Sequence, residues 1–468
     1  MNEANDIKSE VREKLFYSQK NGYSIIDGDE RRLCEKYCDE YKNFLNRART
    51  EREAVNEAIR IAESAGFREP GKAETRFEAG EKIYKNIHDK AVALAVIGKR
   101  PVSDGAVFSV AHIDAPRLDL KQLPMFESDE ICYFKTHYYG GIKKYQWTAI
   151  PLELRGTVVK KDGGSVCVSV GADKGDPQFV ITDLLPHLSG DQMKKTMSEG
   201  ITGEGLNILI GSIPGAGEGN DKVKLAVLEI LNEKYGITEE DLVSADICAV
   251  PAFEVRDIGF DRSLVGGYGQ DDRVCAFCSL KAITEIALPE KASVCFLVDK
   301  EETGSEGITG MQSKAFDNFI EDLCFGTGAR PRDCCENSIC ISADVCNAYD
   351  PNFPDVSEKR NNAKLNYGVG LMKYTGSRGK SGSSDAGAEL TAKLRMIFAE
   401  AGVIWQMSEL GKVDQGGGGT TAKYTANRNI ATIDAGVPVL SMHSPFEAVS
   451  KFDCYMTYKA IKAAYTRG

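Results

Sequence analysis

Several side chains able to bind a cation or move a proton close apolar runs in this sequence. His112 and Asp114 end the run 105–113, Glu301 and Glu302 follow 294–298, Asp344 follows 339–343, and His443 follows 437–442. Asp271 opens a helical stretch just after Gly266-Gly267-Tyr268-Gly269. Neighbouring carboxylates such as Glu301 and Glu302 repel each other. A divalent cation relieves that repulsion and leaves one of the two free for proton transfer. The chain has only five histidines, and two of them fall in this set. Two imidazoles with several carboxylates suit zinc, cobalt or manganese. One carboxylate can bridge two such ions about 3.5–4 Å apart. Asp114, two residues beyond His112, shares its strand face and is placed to orient the imidazole. Each residue alone has a plainer reading: an acidic solvated turn at 299–305, a helix cap at Asp271-Asp272, strand-end residues elsewhere. Together, at strand ends and at the start of one helix, they read as a metal site.

The elements that must position these residues are legible in outline. The run 294–298 is short, apolar, rich in β-branched and aromatic residues, and followed by the turn signal Thr303-Gly304-Ser305. A strand buried on both faces reads this way, and an open α/β sheet binds ligands at the carboxyl ends of its strands. Runs 105–113, 339–343 and 431–434 predict further strands. Helices are predicted at 51–66, with Gly66 as the stop, at 271–286, at 386–401 and at the C-terminus. Residues 7 to about 100 read as mostly helical, with 90–98 as a buried strand or a short helix. Between 138 and 251 the character changes to short β-like runs separated by Gly, Asp and Asn, with one helix at 221–235. The expected architecture is a mixed sheet flanked by helices, built from 1–118 and 252–468, carrying an inserted β-rich oligomerisation domain at 119–251.

Composition sets the outer bounds. At 468 residues, with 42% hydrophobic and 27% charged residues, the chain is long enough for a sizeable core and is typical of a globular protein. A net charge of −11 argues against nucleic acid or an anionic membrane surface as partner. No apolar run approaches the roughly 18 residues of a membrane span, and the N-terminus is charged from its first residues. These features predict a cytoplasmic protein. The 14 cysteines show no paired CxxC pattern and are expected to be reduced and packed as small hydrophobes. The four glycines 416–419 sit in a loop, 415–420, that offers backbone amides, Gly417 and Gly418 among them, but no charge. No GKS or GKT follows, so they do not read as a phosphate loop.

Local sequence words narrow the reading. AHIDAPRLDLK (111–121), GYGQDDR (267–273), DKEETGS (299–305), SADVCNAYDPNF (342–353) and VPVLSMHSPFE (437–447) resemble the aspartyl aminopeptidase / aminopeptidase I family of dimetal metalloaminopeptidases, over almost the whole chain. The resemblance implies two divalent ions, zinc first with cobalt or manganese as alternatives. It implies that His112 and Asp344 hold one ion and Glu302 and His443 the other, with Asp271 bridging. It implies Glu301 as the general base for a metal-activated water, Asp114 as support for His112, and N-terminal residues of peptides as substrate. It further implies a homo-oligomer, a tetrahedral dodecamer built from dimers, with His187 or its loop reaching a neighbouring subunit's site. Acid-specific relatives carry histidines where this chain has Asn347 and Asp350, and a second histidine after the Pro186-His187-Leu188 word where it has Asp191. Fewer cationic donors and more carboxylates favour neutral or hydrophobic N-terminal residues over Asp and Glu. The alternatives are a strictly acidic aminopeptidase, a nucleotide-binding module using the glycine loop, or an inert shell protein.

Overall fold

The computed structural model describes the whole chain except residues 1–10, 13, 72, 73, 75, 217 and 218. Most of the charged N-terminal stretch, the start of the helical reading at residue 7, and part of the 211–219 loop therefore lie outside the described residues.

The site is organised by an eight-stranded mixed sheet. In chain order its strands are β1 (Lys82–Ile87), β2 (Ala91–Val96), β3 (Ala106–His112), β4 (Ala292–Val298), β5 (Ile339–Ser342), β6 (Val369–Met372), β7 (Trp405–Met407) and β8 (Ala431–Gly436). Their spatial order is β1-β2-β4-β3-β5-β8-β6-β7. The centre is parallel: β3 lies between β4 and β5, and β5 pairs with β8. Alternate side chains enter opposite cores. Val107, Ala111, Cys295, Leu297 and Ile341 face one helical layer, and Phe108, Val110, Val294, Phe296 and Cys340 face the other. That two-sided burial is why these strands read as unbroken apolar runs.

The first layer contains α1 (Gly28–Arg47), α2 (Glu51–Ser64), α3 (Gln270–Thr284), α5 (Ala388–Glu400) and α6 (Lys451–Arg467), and the second contains α4 (Ala315–Phe325). Thr50 starts α2 through a capping box with Glu53, satisfying two backbone N–H groups that the helix itself cannot. The mostly helical reading does not hold for 82–96, and of the two alternatives for 90–98 the buried strand is the one found. The segment is the hairpin β1–β2, which turns at His88 and Asp89, both at positive φ, the backbone a tight two-residue turn demands. One of the short β-like runs expected between 138 and 251, residues 178–181, appears only as isolated bridges at Phe179 and Val180.

A separate six-stranded antiparallel sheet is built from Arg117–Ser128, Ile131–Tyr139, Leu152–Val159, Ser165–Val170, Ile208–Gly211 and Ala245–Pro251. It has its own core, including Leu118, Phe134, Trp147, Leu154 and Val250, and Val223 of the helix Lys222–Tyr235 packs into it. Its first strand is tied to the helical layer by Arg117, whose guanidinium lies 3.1 Å from the Glu51 carboxylate. Burial alone would raise the Glu51 pKa, but Arg117 and Lys90 reverse this and hold it at about 2. A third sheet of five short strands joins Leu264–Gly267, before α3, to Glu447–Ser450 and Pro438–Leu440. All 14 cysteines are free thiols, most of them buried. Among the described residues no helix is long and apolar enough to cross a membrane.

Candidate metal centre and active site

Three adjacent parallel strands deliver the first part of the site. His112 is the last residue of β3, Glu301 and Glu302 start a short turn after β4, and Asp344 follows β5 by two residues. Asp271 comes from the first turn of α3, after Gly269 at φ +75°, and His443 from the loop after Pro438–Leu440, at φ +63°. The positions predicted from the sequence thus meet at one sheet edge.

Asp271 is the centre of the arrangement. Its Oδ1 lies 3.1 Å from His112 Nε2 and its Oδ2 lies 3.2 Å from His443 Nε2. His443 Nε2 is also 3.4 Å from Glu302 Oε2, and Glu301 Oε2 is 4.0 Å from His112 Nε2. His112, Asp271 and Glu302 form one group whose ligand atoms all lie within 4.8 Å of one another, and His112, Asp272 and Asp344 form a second. Both imidazoles turn Nδ1 outward and Nε2 inward. His112 Nδ1 is 3.0 Å from the Asp114 carbonyl oxygen, and His443 Nδ1 donates to the Gly141 carbonyl at 2.8 Å. Such bonds fix the tautomer that leaves Nε2 free to ligate.

In the chain alone these crowded, buried groups share bound protons. Burial first, then the neighbouring Asp271, lifts the Glu302 carboxyl well above its usual range, and burial with Asp272 does the same to Asp344. Burial would lower both histidines, but the facing Asp114 and Asp271 carboxylates raise His112 well above its ordinary value, and Asp271 and Glu302 raise His443 to about 10. Burial lifts Glu301 to about 7, with Asp114 and Asp271 adding to the rise and the histidines opposing it. Glu302 Oε1 and Asp272 Oδ1 are buried without a hydrogen-bond partner, which is costly for a carboxylate unless something else compensates it. Two inward Nε2 atoms, crowded carboxylates and orphaned buried oxygens fit zinc or a similar divalent ion.

Asp114 holds several of these groups together. Its Oδ1 is 3.3 Å from His112 Nδ1, and its two oxygens accept the backbone N–H groups of Glu301 and Glu302, each at 3.2 Å. The Tyr139 hydroxyl donates to its Oδ2 at 2.7 Å. Glu447 plays a similar part on the far side, accepting from the backbone of His443 at 2.8 Å and from Gln270 at 2.6 Å.

The groups open into a cavity of about 540 Å³. Gly417 and Gly418 line it, together with Val345, Met372, Leu410 and Met442. Asn347 and Asp350 do not line it. Asn347 faces Asn362, and the Asp350 carboxylate accepts from the Asn352 backbone. His187 is exposed and does not line this cavity. Sequence reasoning passed over Asp272, Tyr139, Glu447, Lys423 and Tyr424. Asp272 and Glu447 stand inside sequence words already noted, and their burial is the property that separates them from ordinary surface acids. Lys423 and Tyr424 sit just beyond the glycine loop and line the cavity.

The family model for the aminopeptidase I zinc metalloprotease (M18) family matches residues 44–465. A protein named probable M18 family aminopeptidase 1 from Clostridium acetobutylicum is 50% identical over 458 residues, covering 96% of this chain and 98% of its own. The crystal structure of an M18 aminopeptidase from Thermotoga maritima superposes with a TM-score of 0.93 at 43% identity, covering 97% of this chain and 100% of its own. That of aminopeptidase I from Clostridium acetobutylicum gives a TM-score of 0.90 at 44% identity, covering 96% and 100%. Sequence and fold agree along nearly the full length, and the chain belongs to the M18 family of zinc metalloaminopeptidases.

Proposed function

We propose that this aminopeptidase works with two divalent ions, zinc first, held by His112, Asp271, Glu302, Asp344 and His443, with Asp271 shared between them. The observation that carries the reading is that the two inward-facing imidazoles address opposite oxygens of the one Asp271 carboxylate, at 3.1 and 3.2 Å. Bound divalent ions would polarise the scissile carbonyl and bring a water's pKa towards 7. Glu301 is the general base. Its carboxylate takes the proton of the attacking water and passes it to the departing amine nitrogen, a role suited to its place beside His112, 4.0 Å from Nε2. Asp114 keeps Glu301 and His112 in register through the contacts already described. The cationic α-amine of a peptide is drawn to the carboxylate-rich end, which confines cleavage to the first residue.

For the side chain of that residue the cavity supports neutral or hydrophobic character first, because Val345, Met372, Leu410 and Met442 line it. Lys423, in the same lining and without an ion-pair partner among the described residues, favours the acidic alternative. A panel of Leu-, Met-, Lys-, Asp- and Glu-p-nitroanilides with and without added zinc, cobalt or manganese decides between them. Leu or Met is expected to lead in kcat/KM, and Lys423→Met to reduce any Asp or Glu cleavage by about tenfold, the worth of one modest charge contact. A tenfold lead for Asp or Glu in the native enzyme transfers the assignment to the acidic reading.

Residues 119–251 serve, in this proposal, as the assembly domain of a homo-oligomer, a tetrahedral dodecamer built from dimers. Support comes from the stretch around His187, where Leu184, Leu185, Leu188, Met193 and Met197 are each at least half exposed. A run of exposed apolar side chains marks a surface that another protein covers. A neighbouring subunit docked there would bring His187 towards a second active site. Light scattering should report the dodecamer, and a fully active monomer would contradict it.

A further inference from the structure

One segment of the inserted sheet, Tyr139–Gly140–Gly141, touches three of the groups that build the site. We infer that it is a positioning element for the ligand set, coupling the inserted sheet to metal affinity, with Tyr139 as the positioning residue. The inference rests on the two-metal reading above.

Tyr139 ends the strand Ile131–Tyr139 and is paired in register with Arg117. Two cations lie over its ring, the Arg117 guanidinium 4.1 Å from the ring centroid and the Lys300 ammonium at 5.2 Å. Arg117 is itself pinned by Glu51 at 3.1 Å and Asp119 at 2.7 Å. A phenol held in this way by cation–π contacts has a fixed direction, and the hydroxyl points at Asp114 Oδ2, 2.7 Å away. Burial keeps that phenol well above its usual pKa, so it remains a donor. Asp114 in turn meets His112 and the backbone of both Glu301 and Glu302. Without the hydroxyl, that carboxylate keeps its contacts with His112 and the two backbone N–H groups but loses the donor that ties it to the inserted sheet.

The next two residues act on the other side. Gly140, at φ +73°, lies so close that a Cβ placed on it would meet Glu302 Cβ and Oε2 at 3.3 Å. The Gly141 carbonyl accepts the His443 Nδ1–H at 2.8 Å. The segment therefore supplies outer contacts to His112 by way of Asp114, to Glu302 by packing, and to His443 directly. Outer partners of this kind are usually worth 10–100-fold in metal affinity.

The test measures zinc affinity of the stripped full-length protein by competition with a chromogenic chelator. Tyr139→Phe, which keeps the ring, should weaken zinc about 10–100-fold, whereas Tyr138→Phe, the neighbouring exposed phenol, should leave affinity within about twofold. A double-mutant cycle with Asp114→Asn separates positioning from general destabilisation. If Tyr139 acts through Asp114, the double variant binds zinc no more weakly than Asp114→Asn alone, even where Tyr139→Phe also lowers the melting temperature. Zinc affinity unchanged in Tyr139→Phe, or losses that simply add in the double variant, overturn the inference. A native protein that binds no zinc overturns the two-metal reading instead.

Discussion

Glu301→Gln is expected to lower kcat by roughly 10²–10⁴, the usual worth of a positioned general base, while leaving metal content unchanged. The amide keeps the shape of the carboxyl and its place after β4, where the backbone N–H of residue 301 is bonded to Asp114. What it loses is the capacity to accept a proton. Native kcat/KM should also fall on the acid side as Glu301 takes up a proton. That limb is expected below pH 7, because nearby bound cations pull the carboxyl down from its value of about 7 in the chain alone. The limb should vanish in the Gln variant. Steady-state kinetics across pH with metal analysis on the same samples checks both parts. Loss of metal in Glu301→Gln would instead make Glu301 a ligand.

Removing the metal should have a comparable effect. Chelation is expected to reduce activity by about 10³-fold or more, since ions that polarise a carbonyl supply several kcal/mol to the transition state. Activity should return on adding zinc, cobalt or manganese to the native chain and should not return in Asp271→Ala. The reason lies in Asp271's position: both Nε2 atoms approach it, and Glu447 holds its backbone N–H at 3.3 Å. Its loss leaves His112 and His443 with no common anion and, on the two-metal proposal, removes the carboxylate that the ions would share. Full reactivation of Asp271→Ala at the native metal concentration would refute its bridging role.

The parts of the fold that bury both faces were legible in the sequence. Strands β3, β4 and β5 are short unbroken apolar runs because each contributes alternate side chains to two cores, and the chemistry stands where those runs stop. The edges were harder. The hairpin β1–β2 alternates weakly and turns at His88-Asp89 without a glycine to announce it. The hairpin Arg117–Ser128 and Ile131–Tyr139 turns at Asp129-Glu130, again both at positive φ, and its register shifts between Leu120 and Met125, which blurs the period-two pattern. Half-exposed strands such as β1 carry polar residues that hide the pattern, whereas the wholly buried β2 reads equally as strand or helix.

The site divides along a similar line. Residues that follow apolar strands could be found from order and type alone. Of the residues that reach the site from elsewhere, Asp271, Gly417 and Gly418 stand in or just after glycine-rich stretches and could be picked out, and the others could not. Tyr139 arrives from the inserted sheet, Glu447 from the five-stranded sheet and Lys423 from beyond the glycine loop, and only the packing of separate segments brings them near the site. Asn347 and Asp350 show the converse. They were chosen by comparison with positions in relatives, and their side chains point to Asn362 and the Asn352 backbone, outside the lining of the cavity.

The most direct test of the two-metal account is a zinc titration of the stripped native protein, with bound metal and release of the N-terminal residue from a leucyl peptide followed on the same samples. The account predicts binding that saturates near two ions per chain, with activity rising as they fill. Full peptidase activity at a metal content near zero would contradict it.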